Sequence, residues 1–318
     1  MPKALLALAL AFTSSSAAAQ QKSVRLSIAT GGTGGVYYPL GGGLANVLTA
    51  ALPKVEATAE VTSASVDNLK LVGAGKADIA FTLADTAADA FQGTGKFKQK
   101  VPLRAIAVIY ANKSQWVTVE GTGIAKMADL KGRRISTGAP GSGTETIALR
   151  MLEGYGINPD KDVTREKLSV AESVNAIKDR KIDAFFWSGG VPTAAVTDLG
   201  ATPGVKIKLL DHADVVPKLV QKYGALYVPG VIKAGSYPGQ AKDVQVADVW
   251  NLLVVNEKMD EALVHDVVKA LFEKKADLAA VHSEAQNLKL DQQYAGGAPI
   301  PFHPGAARYF AENGIKPR

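Results

Sequence analysis

Two glycine-rich turns of similar design, about a hundred residues apart, constrain the fold of this chain more than any other feature. The first lies at 28–39 (IATGGTGGVYYP) and the second at 135–145 (ISTGAPGSGTE). Each turn follows a short run rich in β-branched residues and precedes a helical pattern of apolar residues. A strand that ends in such a turn presents backbone N–H groups at the positive end of the next helix, which suits an anion. Two such turns predict one ligand-binding site with a turn on each side of it.

The elements around the turns also repeat in order. Strands alternate with helices, which favours an α/β architecture with mostly parallel sheets. Ser65-Val66 in the first unit corresponds to Ser173-Val174 in the second, and residues 78–81 correspond to 183–186. The sequence therefore indicates an internal duplication at the level of the fold.

Two strands outside the repeat, at 116–119 and 249–255, are predicted to cross between the units. These crossing strands predict two lobes joined by two connections. Lobe I comprises residues 20–112 and 246–318, and lobe II comprises residues 113–245. We expect two doubly wound, mostly parallel sheets with a central cleft, because ligands of open α/β sheets bind at the carboxyl ends of the strands. Two lobes linked in this way close around a ligand by a hinge.

The first 19 residues have the pattern of a secretory signal peptide. Lys3 precedes an apolar run at 4–12, and a small-residue Ala-x-Ala site ends at Ala19. The apolar run is too short to span a bilayer. The chain contains no cysteine, which excludes lipid attachment and disulfides. Residues 1–19 are therefore predicted to be cleaved near Ala19, and the mature protein is expected to be periplasmic.

The net charge of +6 is mild and is spread along the chain. The densest basic cluster, at 96–104, has a single aromatic residue, Phe97, and is interpreted as a solvated face. Nucleic acid is therefore not an expected partner.

The candidate ligand-binding residues lie where predicted strands end or predicted helices begin. They are Thr33, Gly34, Tyr37, Ser65, Asn68, Ser142, Gly143, Thr144, Trp187 and Gly189. Capping is the alternative role for several of them, because Ser142-x-x-Glu145 has the spacing of a capping box. Whether Glu145 and Asp67 contact the ligand or only cap helices stays open, and Tyr37 and Trp187 are either cleft wall or core.

Nucleotide binding and catalysis are both disfavoured. Gly138 and Gly143 have phosphate-loop spacing, but Thr144-Glu145 stand where a Lys-Ser/Thr pair is needed. The four histidines are scattered, and neither a Gly-x-Ser-x-Gly elbow nor a cysteine nucleophile occurs. We therefore predict no enzyme, cofactor or metal. An exported enzyme, the rival hypothesis, has only Asp67, Asp85 and Glu145 as titratable candidates.

Several segments together resemble a known family. They are residues 30–41, 65–68, 130–136, 141–144, 182–186, 234–240 and 303–310. In these segments the chain resembles the TAXI-type solute-binding subunits of TRAP (tripartite ATP-independent periplasmic) transporters. The resemblance implies a type II periplasmic-binding-protein fold, an integral membrane TRAP permease driven by an ion gradient, and a ligand such as glutamate or a dicarboxylate.

The same features also fit an alternative, a periplasmic binding protein of an ATP-driven importer or of a sensor for another small acid. No arginine follows either turn, so a carboxylate would be held by backbone N–H groups and hydroxyls rather than by a guanidinium. A monomer with a small organic acid or amino acid as its ligand is expected in either case.

Overall fold

The computed structural model describes residues 24–317, so the predicted signal peptide lies outside the described residues. Within that range no helix is both long and apolar enough to cross a membrane. The elements of the first part are β1 Val24–Ala29, α1 Tyr37–Ala51, β2 Val55–Glu60, α2 Ser65–Gly73, β3 Ile79–Leu83, α3 Ala84–Gln92 and β4 Leu103–Val119.

The second part repeats this order and then returns to the first. Its elements are β5 Arg134–Ser136, α4 Gly143–Gly154, β6 Thr164–Glu166, α5 Val170–Lys178, β7 Ala184–Gly189, α6 Ala194–Ala201, β8 Ile207–Leu209, α7 Val216–Tyr223 and β9 Tyr227–Ile232. The chain continues through β10 Val244–Asn256, α8 Glu261–Glu273, α9 Lys275–Val281 and α10 Pro304–Glu312.

Sheet topology confirms the duplicated α/β fold. The described strands form one ten-stranded sheet of order β2-β1-β3-β10-β4-β7-β5-β6, with β8 beside β4 and β9 beside β10, rather than the two separate sheets expected, because β4 and β10 run through both lobes. In lobe I, β1 pairs in parallel with β2 and β3, and β10 runs antiparallel to β3. In lobe II, β5 pairs in parallel with β6 and β7, and β4 runs antiparallel to β7. Each lobe thus receives one antiparallel strand that arrives from the other lobe.

The two crossing strands are longer than the sequence indicated. The apolar run at 103–109 predicts a buried strand separate from the one at 116–119, but the two segments form one strand, β4. Its first part pairs with β10, and its last part pairs with β7 and β8. Burial on both faces removes the alternation that would have revealed this continuity. The lobe boundaries at 112/113 and 245/246 remain predictions within these continuous strands.

One predicted strand is wrong, because local capping overrides the strand propensity of its residues. The sequence at 168–170 (LSV) predicts a short strand, but α5 begins at Val170. Ser169 accepts a hydrogen bond from the backbone N–H of Glu172, whose carboxylate accepts the N–H of Ser169 in return. This capping box starts the helix.

A buried histidine in lobe II links stability to pH. His212 is fully buried, and its Nδ1 lies 2.8 Å from the carbonyl oxygen of Leu210. Burial lowers the pKa of His212 to about 4. The folded protein therefore keeps this imidazole neutral at a pH where the unfolded chain protonates it.

Acidification from pH 7 to pH 5 is expected to cost about 2 kcal/mol of stability through His212, because the unfolded imidazole (pKa about 6.5) takes up a proton that the folded one refuses. His212→Asn keeps a hydrogen-bond donor for the carbonyl of Leu210, and its free energy of unfolding should not show this fall between pH 7 and pH 5. Denaturant unfolding of both proteins at the two pH values measures the difference. Burial raises the pKa of Asp248 to about 6, which acts in the opposite direction but equally in both proteins. An equal pH dependence would contradict the prediction.

Candidate functional site

A cavity of about 340 Å³ lies between the two lobes, at the carboxyl ends of their parallel strands. The first glycine turn and residues 61–65 line it from lobe I. Residues 139, 142–144, 169–172 and 187–189 line it from lobe II. The two turns singled out in the sequence therefore meet across one cavity.

The structure brings nine of the ten candidate residues to the cavity wall. They are Thr33, Gly34, Tyr37, Ser65, Ser142, Gly143, Thr144, Trp187 and Gly189. The exception is Asn68, which is fully buried away from the wall. Its amide donates to the carbonyls of Thr30 (2.7 Å) and Phe81 (2.8 Å), so it ties β1 to β3 rather than facing a ligand.

Sequence reasoning missed several wall residues. They include Val61, Thr62, Ser63, Ala64, Tyr110, Asn112, Ser169, Glu172 and Ser188. Ser169 and Glu172 carried a usable signal, since a Ser-x-x-Glu spacing marks a helix N-terminus. Tyr110 and Asn112 lie in the middle of β4, where no local pattern shows which side chains reach the cavity.

Four helices begin at the cavity, and they differ in how their first N–H groups are used. In α4 the hydroxyl of Ser142 accepts the N–H of Glu145 at 3.0 Å, and α5 has the capping box of Ser169 and Glu172. In α1 and α2 no side chain caps the N-terminus. Each cap satisfies only one of the first N–H groups of its helix, so N–H groups that suit an anion remain at the cavity in both lobes.

The open question about Glu145 and Asp67 is answered by their surroundings. The carboxylate of Glu145 is buried and lies 3.3 Å from Arg165 and 3.9 Å from Lys96, so the reciprocal half of the predicted capping box is not formed. The backbone N–H of Asp67 donates to the carbonyl of Gly141 in the other lobe at 3.1 Å. Neither side chain belongs to the cavity wall.

Two buried tyrosines belong to the residues that line the cavity. Tyr37 donates to the amide oxygen of Asn251 on β10, a strand that crosses between the lobes. The hydroxyl of Tyr110 is buried and has no hydrogen-bond partner within residues 24–317. Burial raises the pKa of both phenols well above their usual value, so both are neutral at neutral pH.

Trp187 forms the lobe II side of the cavity and touches lobe I. Its indole N–H donates to the hydroxyl of Thr193 at 2.8 Å, which fixes the ring. A Cβ on Gly35 would lie 3.0 Å from the indole, so only glycine lets the first turn approach the ring this closely. The ring thus closes the cavity against the backbone of the opposite lobe.

The lobes are closed on one another. Besides the bond between Asp67 and Gly141, the N–H of Ala195 donates to the carbonyl of Gly34 at 3.4 Å. A Cβ on Gly143 would lie 2.6 Å from Leu83 and 2.8 Å from the hydroxyl of Ser65. The N-termini of α2 and α4 therefore meet with room for no side chain at 143.

The cavity wall is almost uncharged. Glu172 is the one ionisable acid or base among the lining residues apart from the tyrosines, and no lysine or arginine is among them. Residues 24–317 also contain no cluster of three or more acidic, histidine or cysteine residues that could hold a metal ion. The arrangement can bind and enclose a small molecule through hydroxyls, backbone N–H groups and aromatic faces.

Lobes, crossing strands and cavity together define the type II periplasmic-binding-protein fold, which solved structures share with this chain. The chain belongs to the NMT1-like family, whose model matches residues 28–314.

Three solved structures illustrate the likeness. The alkanesulfonate-binding protein SsuA from Xanthomonas axonopodis pv. citri is 17% identical, with a TM-score of 0.50 over 91% of this chain and 84% of that one. A putative L-cystine ABC transporter from Listeria monocytogenes is 15% identical, with a TM-score of 0.51 over 85% and 99%. The Streptococcus mutans structure described for glutathione import via GshT and the cystine ABC importer TcyBC is 13% identical, with a TM-score of 0.51 over 89% and 99%.

These comparisons contradict the resemblance to TAXI-type subunits of TRAP transporters. The matching family is the NMT1-like family, and the structural neighbours named for a transporter belong to ABC systems. The TRAP permease as partner and the glutamate or dicarboxylate ligand followed from that resemblance and lose their support.

Proposed function

We propose that this chain is the solute-binding subunit of an ABC-type importer, exported from the cytoplasm, which encloses a small organic anion between its lobes. The observation that carries the proposal is the cavity between the lobes, at which the N-termini of α1, α2, α4 and α5 lie. Neighbours named as binding proteins or ABC transporters support this class.

A binding role is favoured over an enzyme by the state of the carboxylates. Asp85 accepts hydrogen bonds from Arg150 and Tyr227, and Glu145 is paired with cations. Asp67 does not belong to the wall. None of the three acids that the enzyme hypothesis needs is therefore free at the cavity to transfer a proton.

Saturable binding is the expected result when the protein that begins at Gln20 is titrated with a library of small organic acids. Trp187 lies on the cavity wall, so its fluorescence should change on binding, and Trp187→Phe should lose that change. Native mass spectrometry of the freshly purified protein gives an independent measurement. Absence of binding to every acid and amino acid tested would contradict the proposal.

The transporter class has its own test. We expect uptake of the ligand by cells carrying this protein to require ATP hydrolysis and to persist when the ion gradient is collapsed. N-terminal sequencing of the periplasmic protein should begin near Gln20. Uptake abolished only by loss of the ion gradient would contradict an ABC partner.

A further inference from the structure

The indole of Trp187 bridges the two lobes at the wall of the cavity. A Cβ on Gly189 would lie 2.3 Å from the indole nitrogen, and a Cβ on Gly35 would lie 3.0 Å from Cη2 of the same ring. All three residues line the cavity. Gly189 belongs to lobe II and Gly35 to lobe I. The ring therefore fills a gap that exists because neither neighbour has a side chain.

Hydrogen bonds hold this ring in one position. Its N–H donates to the hydroxyl of Thr193 at 2.8 Å, and that hydroxyl donates to the carbonyl of Gly190 at 2.6 Å. The backbone N–H of Thr193 donates to the hydroxyl of Tyr237, which donates to the side-chain oxygen of Gln115 at 2.8 Å. Thr193, Tyr237 and Gln115 are at most 1% exposed. Because this support is buried, turning the ring away would leave the indole N–H without its acceptor.

The cavity that the ring borders is small. Its volume of about 340 Å³ lies near the lower end of the range of about 300–1,000 Å³ for small-molecule sites. Trp187 is the largest side chain that lobe II contributes to the wall, where the other residues of this lobe are glycine, alanine, serine, threonine, valine and one glutamate. The space available on the lobe II side is therefore decided mainly by one ring.

From this arrangement we infer that Trp187 sets the upper limit on the size of the ligand. The inference rests on the proposed function and adds the residue that selects among small organic anions by size. A ligand larger by one aromatic ring needs the space that the indole occupies. Since the indole is bonded to Thr193 and packed against Gly35, such a ligand has to displace it from its rotamer or keep the lobes apart.

Phenyl derivatives of one acid test this limit. The parent is the tightest-binding acid of the library titration, and each derivative carries one phenyl group on a different carbon. We expect wild type to bind every derivative more weakly than the parent by about tenfold or more. Trp187→Ala opens space for a ring, so it should bind at least one derivative about tenfold more tightly than wild type does, and the parent more weakly. Calorimetric titration measures these affinities.

Two further variants separate size selection from a structural role of the indole. Trp250→Ala is the matched control, because Trp250 is also half-buried but does not line the cavity. It should keep the wild-type ratio of affinities for parent and derivative. Trp187→Phe retains a smaller ring, so its ratio should lie between those of wild type and Trp187→Ala. A purely structural indole would instead weaken the binding of parent and derivatives by the same factor in Trp187→Ala.

A double-mutant cycle tests the contact of the ring with lobe I. Gly35→Ala should weaken binding of the parent by about fivefold or more, because the added Cβ meets the indole at 3.0 Å. In Trp187→Ala the same change should cost less than about twofold, since beyond the ring the nearest atom is the carbonyl oxygen of Gly32 at 3.4 Å. Equal losses in the two backgrounds would show that ring and turn do not meet in the complex, and would overturn the inference.

The results separate this inference from the proposal beneath it. If wild type binds a phenyl derivative as tightly as the parent, the inference is wrong and a solute-binding protein remains. The same holds if Trp187→Ala discriminates against every derivative as strongly as wild type does. Absence of binding to any library member contradicts the proposed function itself.

Discussion

Arg150→Met is expected to lower the free energy of unfolding by about 3–5 kcal/mol, because it leaves a buried carboxylate without its cation. Arg150 on α4 donates to Asp85 at 3.1 Å and also pairs with Asp89, both on α3 of the other lobe. Asp85 is 0% exposed, and its carboxylate also accepts the hydroxyl of Tyr227 at 2.6 Å. Without the guanidinium, the buried carboxylate of Asp85 has no cation to offset the free-energy cost of its desolvation.

The electrostatics of this cluster explain the size of the effect. Burial alone would lower the pKa of Arg150, but Asp85 and Tyr227 outweigh it and raise that pKa. The guanidinium also lies 4.2 Å from the ring centre of Tyr223. Arg150 is thus a permanently charged link between α3 and α4, the helix whose N-terminus borders the cavity.

Equilibrium unfolding in urea measures the prediction, with Arg134→Met as the matched control. Arg134 pairs with Asp183 at 2.6 Å, but its side chain is 46% exposed, so its loss should cost no more than about 1 kcal/mol. Adding Asp85→Asn to Arg150→Met removes the orphaned charge and should restore part of the stability. Equal losses in the two arginine variants would contradict the explanation by burial.

Gly143→Ala is expected to weaken ligand binding at least tenfold, an effect of about 1.4 kcal/mol or more, without unfolding either lobe. The added Cβ would lie 2.6 Å from Leu83 and 2.8 Å from the hydroxyl of Ser65. Those atoms belong to the opposite lobe, so the clash opposes closure. Within α4 itself alanine is the better helix former.

Calorimetric titration with the best-binding acid from the library, together with small-angle scattering, separates closure from folding. Wild-type protein should become more compact when ligand is added, and Gly143→Ala should respond less. Gly42→Ala is the control, since a Cβ at that helical glycine has no atom within 4 Å. A Gly143→Ala variant with wild-type affinity would show that α2 and α4 need not meet for binding.

Much of the fold was predictable because its signals are local. The glycine turns at 31–35 and 138–143, and the repeated order of strands and helices around them, predicted the duplicated strand–helix units and the cleft. Thr33, Ser142 and Trp187 reach the cavity because parallel strands end at the same edge of a sheet. Each of these three residues lies within a few residues of the turn or strand end from which its place in the cleft was predicted.

Asn68 shows where this reasoning fails. The sequence predicts that a polar residue in the first turn of a helix caps the helix or contacts a ligand. The side-chain amide of Asn68 instead donates hydrogen bonds to the carbonyls of Thr30 and Phe81. Those partners lie 38 and 13 residues away in the chain. The ion pair between Asp85 and Arg150 spans 65 residues and had no sequence signal either.

The sequence by itself determined the two strand-turn-helix units, their duplication and the glycine turns, because these depend on residues close together in the chain. Tertiary structure decided that the N-termini of α1, α2, α4 and α5 lie at one cavity. It also decided that Tyr110 and Glu172 belong to the residues that line it. These features depend on how the lobes pack across the cleft, and contacts of that range leave no local pattern.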